Sequence, residues 1–253
     1  MKFSANLGFL WTDLSLPDAI RTAKEAGFDA VECHWPYDTP VELVIEALQE
    51  TGLEMLGLNT RRGNVEAGEN GLSALIDRTE DARSAIDEAI GYATAIGARN
   101  IHVMAGYASG NEARQCFTQN LRYACEQASR HNISILIEPL NSYDAPGYFL
   151  TTTEQAKNII VEIGAPNLKL MFDCYHVQLM EGDLSNRLQN LLPLIGHIQF
   201  ASVPDRGTPD QGELNYAFIF KMIHELGWTA PLGAEYKPGG PTEASLGWLA
   251  KLR

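Results

Sequence analysis

The sequence predicts a single (β/α)8 barrel, and three observations carry that prediction. Short apolar runs alternate with amphipathic stretches eight times along the 253 residues, the pattern of parallel strands joined by right-handed crossover helices. The length matches the roughly 250 residues of such a barrel, and no Pro/Ser-rich linker or shift in composition divides residues 1–253, so one domain is expected. Finally, the competing solution, an open doubly wound sheet, normally carries a glycine-rich phosphate turn after its first strand. Gly8-Phe-Leu-Trp-Thr12 has neither G-x-G-x-x-G nor a G-K-[ST] ending.

Taken in order, Phe3 to Leu7 alternates as a short strand, and Leu16 to Ala26 has helical spacing with Gly27 as its stop. Phe28 to Cys33 is the second strand, Pro40 to Gly52 the second helix and Leu53 to Asn59 the third strand. Thr60 to Gly71 is a polar, glycine-bearing loop too long for a plain connection, hence a candidate lid. Leu72 to Ile96 reads as one long amphipathic helix ending at Gly97, followed by strand four, Asn100 to Met104, and the helix Glu112 to His131. Ile133-Ser-Ile-Leu-Ile-Glu138 is apolar on both faces, as a strand covered on each side must be, and ends on a carboxylate. After the loop Asn141 to Gly147, Thr151-Thr-Thr-Glu154 resembles a capping box. Strand six is Leu168 to Phe172; the helix Tyr175 to Leu192 is expected to break near Gly182; strand seven is Ile195 to Gln199. Asn215 to Leu226 is the next helix, Leu232 to Glu235 strand eight, and Pro241 to Arg253 one closing helix.

Composition narrows the function. A formal charge of -13 and a pI near 4.8 oppose a general grip on nucleic-acid phosphates, which needs clustered Lys and Arg. No apolar run approaches the ~20 residues of a membrane span, and Met1 to Leu7 has no apolar signal core. Cys33, Cys116, Cys125 and Cys174 have no metal-ribbon or C-x-x-C spacing and read as reduced, packed thiols of a cytoplasmic protein. The expected partner is a small molecule; the sequence allows a homo-oligomer without specifying one.

In a barrel the strand C-termini share one mouth, so polar residues at those ends meet although they lie far apart in sequence. Glu138, Asp173, Gln199 and Glu235 close strands five to eight, each about one strand-loop-helix unit from the next. A lone acid after a strand is commonly a cap or surface charge. Four oxygen-bearing ends on successive strands are a set, and three carboxylates in one cleft repel unless a cation compensates. Oxygen donors suit Mg²⁺ or Mn²⁺ better than zinc. His176, three residues beyond Asp173, is placed to bond that ligand or a substrate. His102 and His197 lie in strands near the core or mouth, whereas His131 and His224 belong to helix surfaces.

Ile137-Glu138-Pro-Leu-Asn141, Phe172-Asp173-Cys-Tyr-His176, Gly196-His-Ile-Gln199 and Gly233-Ala-Glu235-Tyr-Lys237-Pro resemble the hydroxypyruvate isomerase family of xylose-isomerase-like barrels. The likeness runs from Phe3-Ser-Ala-Asn6-Leu through Gly27-Phe-Asp-Ala-Val-Glu32 to the chain end. It implies isomerisation of a small 2-oxo acid, hydroxypyruvate to tartronate semialdehyde or a 2-oxo-tetronate to its 3-oxo isomer, through an enediolate. Glu138 and Glu235 would transfer the protons while touching the metal, with Asp173 and Gln199 as plain ligands. Lys237, Arg206 and Arg62 are candidate anion contacts, and Asn6, His102 and His176 further substrate contacts. The alternatives are a ketose 3-epimerase of the same superfamily, which would take a neutral sugar, and a sugar-binding barrel without activity. A metal-dependent endonuclease on this barrel is opposed by the six histidines and the acidic charge.

Overall fold

The computed structural model describes residues 1–253. Its strands are β1 (Phe3–Asn6), β2 (Ala30–Glu32), β3 (Glu54–Met55), β4 (Gly57–Asn59), β5 (Asn100–His102), β6 (Ser134–Ile137), β7 (Leu168–Asp173), β8 (Ile195–Phe200) and β9 (Leu232–Ala234). All pairings are parallel, in the order β3-β2-β1-β9-β8-β7-β6-β5-β4. The two ends of that order, β3 and β4, are the halves of one chain segment interrupted at Leu56. The sheet therefore closes into a barrel of eight staves, as predicted. The break has a local cause: the Leu56 N–H donates to Val31 O on one side, while Leu56 O accepts from the Asn100 backbone and side chain on the other.

The helices between strands are α1 (Leu16–Glu25), α2 (Val41–Thr51), α3 (Thr79–Ile96), α4 (Gly110–Ser129), α5 (Thr153–Ile163), α6 (Cys174–Met180), α7 (Leu184–Leu191), α8 (Tyr216–Glu225) and α9 (Leu249–Leu252). The expected break near Gly182 separates α6 from α7. α3 starts later than its apolar periodicity suggests, because the Ser73 and Ala74 N–H groups donate to Met104 O and Ala105 O and hold that segment as a turn against the chain that follows β5. The loop before it is fastened at both ends. Arg61 pairs with Glu88 and Arg62 stacks on Trp35, while Gly71 bridges Ala105; residues 63–68 between them are exposed. The capping box of α5 is shifted by one residue: Thr152 accepts from Gln155 N–H, and Gln155 Oε1 accepts from Thr151 N–H. Glutamine reaches back as well as glutamate.

The closing segment is a 3₁₀ stretch, Thr242–Trp248, before the short α9, not one helix. Trp248 is the reason. It is fully buried in edge-on contact with Phe3 and Phe200, and its Nε1–H donates to the Tyr236 hydroxyl. Burying an indole with its N–H satisfied outweighs the regular α turn, and it clamps the residue next to Glu235.

Side-chain alternation divides each strand between two environments. Phe3, Ala5, Ile135, Ile137, Leu170, Phe172, Ile198, Phe200, Leu232 and Ala234 belong to the continuous apolar core shared with the helices. The intervening residues face the barrel interior, where the polar ones collect. All four cysteines are buried and unpaired, and no helix is long and apolar enough to cross a membrane.

Candidate metal and proton-transfer site

Alternation also fixes what stands at the mouth. Ser4, Leu136, Met171, His197 and Gly233 lie on the interior face near the strand ends, and two residues on from each, on the same face, stand Asn6, Glu138, Asp173, Gln199 and Glu235. Each is nearly inaccessible to solvent. Glu138, Asp173, His176 and Glu235 each bring one ligating atom to within 4.8 Å of all the others. Register supports the meeting, since Asp173 pairs with Gln199 and Gln199 with Gly233 across β7, β8 and β9.

Three buried carboxylates in one place have an electrostatic cost. Burial pushes the Glu138 carboxyl well above its ordinary value, and the neighbouring charges of Glu235 and Asp173 push the same way. Burial likewise raises Asp173, to about 7, with Arg206 pulling against it and Glu235 reinforcing it. Burial acts on Glu235 too, but Arg206 and His34 overcome it and hold that group down at about 2. The cluster thus has less positive charge around it than three ionised carboxylates require.

Arg206 is the main compensation. Its guanidinium pairs with Glu235 and lies 3.5 Å from both Asp173 and Asp144, sandwiched against the rings of Phe9 and Tyr175. Its backbone is left-handed, at φ 54, a conformation unfavourable for a bulky side chain and sustained here by these contacts and by Lys237 N–H donating to Arg206 O at 2.7 Å. Lys237 itself is exposed and engages the site only through that backbone bond. Arg62 is half-buried, its guanidinium 3.9 Å above the Trp35 ring. Asn6 donates from Nδ2 to Glu235 at 2.8 Å while its Oδ1 accepts from Gly8 N–H.

The histidines separate by what they touch. His176 Nδ1 accepts the Asn141 backbone N–H at 3.0 Å. The proton of the neutral ring is therefore on Nε2, which lies 3.6 Å from Asp173 and 3.8 Å from Glu138. His176 turns an N–H, not a ligand lone pair, toward the carboxylates, at distances too long for a hydrogen bond. Burial, then Arg206, keeps it well below its ordinary pKa. His102 is also held neutral by burial, down to about 3, with Nδ1 3.5 Å from Glu138. His131 and His224 are exposed, as helix-surface residues should be.

Sequence reasoning missed four residues. His34 bonds Glu235 through Nε2 at 3.0 Å, and nothing in Cys33-His34-Trp35-Pro36 announces it. Asp144 joins Arg206 from the Asn141 turn, and Asn141 itself sets the His176 tautomer. Glu32 had a usable signal. It ends β2 as Glu138 ends the run before it, and it bonds His197 Nε2 at 2.6 Å inside the barrel.

The residues fit a hard divalent cation. Glu138 Oε1, Asp173 Oδ2 and Gln199 Oε1 are buried oxygens without any hydrogen-bond partner, a costly state for polar atoms in an interior. Together with Glu235 they form an all-oxygen donor set, and a cation would supply both the missing charge and the missing contacts.

Comparisons with known proteins give the family. The family model for the xylose isomerase-like TIM barrel matches residues 20–252. The chain is 43% identical over 251 residues to a 2-oxo-tetronate isomerase of Pectobacterium atrosepticum, covering 98% of this chain and 96% of the relative. It is 37% identical to a hydroxypyruvate isomerase of Escherichia coli over the whole of both chains. A solved structure from Brucella melitensis, named AP endonuclease, family 2, superposes with a TM-score of 0.95 at 36% identity, covering 100% of this chain and 99% of that one.

Proposed function

The chain is an isomerase of the xylose isomerase-like TIM barrel family, in its hydroxypyruvate isomerase branch, and from that premise we propose that it shifts the carbonyl of a small 2-oxo acid to the neighbouring carbon. The substrate is hydroxypyruvate, converted to tartronate semialdehyde, or a 2-oxo-tetronate, converted to its 3-oxo isomer. The observation that carries this reading is the meeting of Glu138 and Glu235, from strands three apart, around one oxygen-lined point.

The chemistry needs a proton removed from the carbon bearing the hydroxyl and a proton delivered to the former carbonyl carbon, with the hydroxyl hydrogen passing to the former carbonyl oxygen. Glu138 and Glu235 are the two groups that take and return the carbon-bound proton. A Mg²⁺ or Mn²⁺ held by Glu138, Asp173, Gln199 and Glu235 would act as a Lewis acid toward the negative charge of the enediolate. His176, with its proton on Nε2, donates to a substrate oxygen. Arg206 receives the substrate carboxylate. Asn6 and His34 hold Glu235 in place, His102 faces Glu138, and Arg62 adds positive charge at the rim. Lys237 has no such role here, so the preference for an acid over a neutral ketose rests on Arg206.

A net charge of -13 and a cluster with a single histidine favour a small acid over the DNA substrate that the name of the Brucella protein would suggest. We place the protein in the cytoplasm, acting on a free metabolite.

The test is exchange in D₂O, followed by NMR, with Mn²⁺-supplemented protein and hydroxypyruvate, 2-oxo-tetronates and ketoses in separate tubes. Deuterium should enter beside the carbonyl of the 2-oxo acids and stop with EDTA. Exchange confined to carbon 3 of a ketose would replace this reading with the epimerase one.

A further inference from the structure

Gln199 offers two unlike ends, and only one of them can serve a cation. Its Nε2 lies 3.4 Å from Glu32 Oε2 and 3.4 Å from Glu235 Oε1. Carboxylates accept hydrogen bonds and an amide oxygen cannot donate one, so the end facing two carboxylates has to be the NH₂. That leaves Oε1 as the free end, buried and without a partner. Of the two carboxylates, Glu235 is already shared among Asn6, His34 and Arg206. The Glu32 carboxylate bonds no other of the proposed ligands.

Glu32 is itself held firmly. It is 4% exposed inside the barrel, with Oε2 bonded to His197 Nε2 at 2.6 Å and Oε1 3.5 Å from the Ser4 hydroxyl. The three side chains meet only because residue 233 has no Cβ. A methyl there would stand 2.2 Å from Glu32 Oε1, 2.8 Å from Gln199 Cγ and 2.9 Å from His197 Nε2, distances no side chain can accommodate without displacing the cluster.

We propose that Glu32, braced by His197 in the space opened by Gly233, is a positioning residue that fixes the Gln199 amide with its oxygen as the ligating end. The proposal rests on the reading of the site as a divalent-cation centre. It explains why an amide can stand among carboxylate ligands. An unoriented glutamine would present its NH₂ to the cation part of the time, and a fixed one never does.

The experiment measures Mn²⁺ affinity of the metal-stripped full-length protein by calorimetry, with free Mn²⁺ confirmed by electron paramagnetic resonance. Glu32→Gln should bind Mn²⁺ about 10- to 100-fold more weakly, the range for loss of a group that orients a ligand. Gln199→Glu alone should also weaken binding, because it sets a carboxylate against Glu32. The double variant Glu32→Gln/Gln199→Glu should recover most of the loss, since a carboxylate has oxygen at both ends and the amide introduced on β2 can donate to it. Structural damage would not be repaired by a second substitution. Wild-type affinity in Glu32→Gln, or a double variant no tighter than Gln199→Glu, overturns the proposal; the second comparison stands even if Glu32→Gln does not fold. A wild-type protein that binds no Mn²⁺ overturns the cation reading itself, a result distinct from either.

Discussion

The two halves of the barrel mouth contain similar residues in opposite states. On the β6–β9 side, Glu138, Asp173 and Gln199 each keep a buried oxygen with no partner. On the β1–β2 side, Asn6, Glu32 and His34 each spend a polar atom on a residue of a later strand. One half is left unsatisfied and the other does the satisfying. The difference teaches where binding and chemistry reside, since an interior tolerates orphaned polar atoms only where something else completes them. On the proposed function the β6–β9 half receives, and the β1–β2 half holds the receivers in place.

The comparison predicts a hierarchy of effects. Glu138→Gln and Glu235→Gln should each lower the D₂O exchange rate by about 10²- to 10⁴-fold, the usual contribution of a positioned acid or base. Exchange at the wild-type rate in either variant would remove the two-glutamate assignment. Both substitutions keep shape, and melting curves should show the fold intact.

A smaller effect tests the electrostatics. Asp173, raised to about 7, and Glu138, raised well above its ordinary value, must lose protons to take a cation. Their raised values mean that at these two positions the metal-free fold binds more protons than the unfolded chain. The stability that these two groups contribute without metal is therefore fullest below the ordinary carboxylate range and is lost as pH climbs toward 7. Mn²⁺ affinity should move the other way, rising by roughly tenfold per pH unit for each proton displaced. The gap in melting temperature with and without Mn²⁺ should widen between pH 5 and pH 8. His102 and His176, held neutral by burial, destabilise the fold as pH falls below the ordinary histidine value with or without metal, so the gap isolates the carboxylates. A gap independent of pH would show that no proton is displaced.

Asn6→Ala should cost less than either glutamate change, about tenfold in exchange rate, because it loosens Glu235 without removing it. His34 still bonds the same carboxylate oxygen. If Asn6→Ala equals Glu235→Gln in its effect, the division between the receiving and the holding half fails.

The receiving half of the barrel was far more legible in the sequence than the holding half, and for a physical reason. Glu138, Asp173, Gln199 and Glu235 each close a short apolar run, so strand periodicity alone delivers them to one mouth. The holding residues are known by their partners, and partnership across 165 residues, as between Glu32 and His197, leaves no local trace. The same limit explains the errors in the fold. The late start of α3 depends on bonds from Ser73 and Ala74 to the segment after β5. The 3₁₀ ending depends on where Trp248 must be buried. Strand number, closure and the helix break near Gly182 needed only local pattern, and those were readable.

Lys237 gives the smallest predicted effect and the cleanest test of reading position from pattern. Two residues after Glu235, it would share the inward face if β9 continued, but the strand ends at Ala234 and the chain bends at Gly239 and Gly240, leaving the lysine exposed. The cation that does reach the carboxylates is Arg206, and Lys237 supports it through a backbone N–H that any residue but proline supplies. Lys237→Ala should therefore change KM for a 2-oxo acid by less than about twofold, in line with the small effects of exposed charges, while Arg206→Ala raises it severalfold more. A large KM increase in Lys237→Ala would mean that the side chain swings inward when the acid binds, and the anion contact would then belong to both residues.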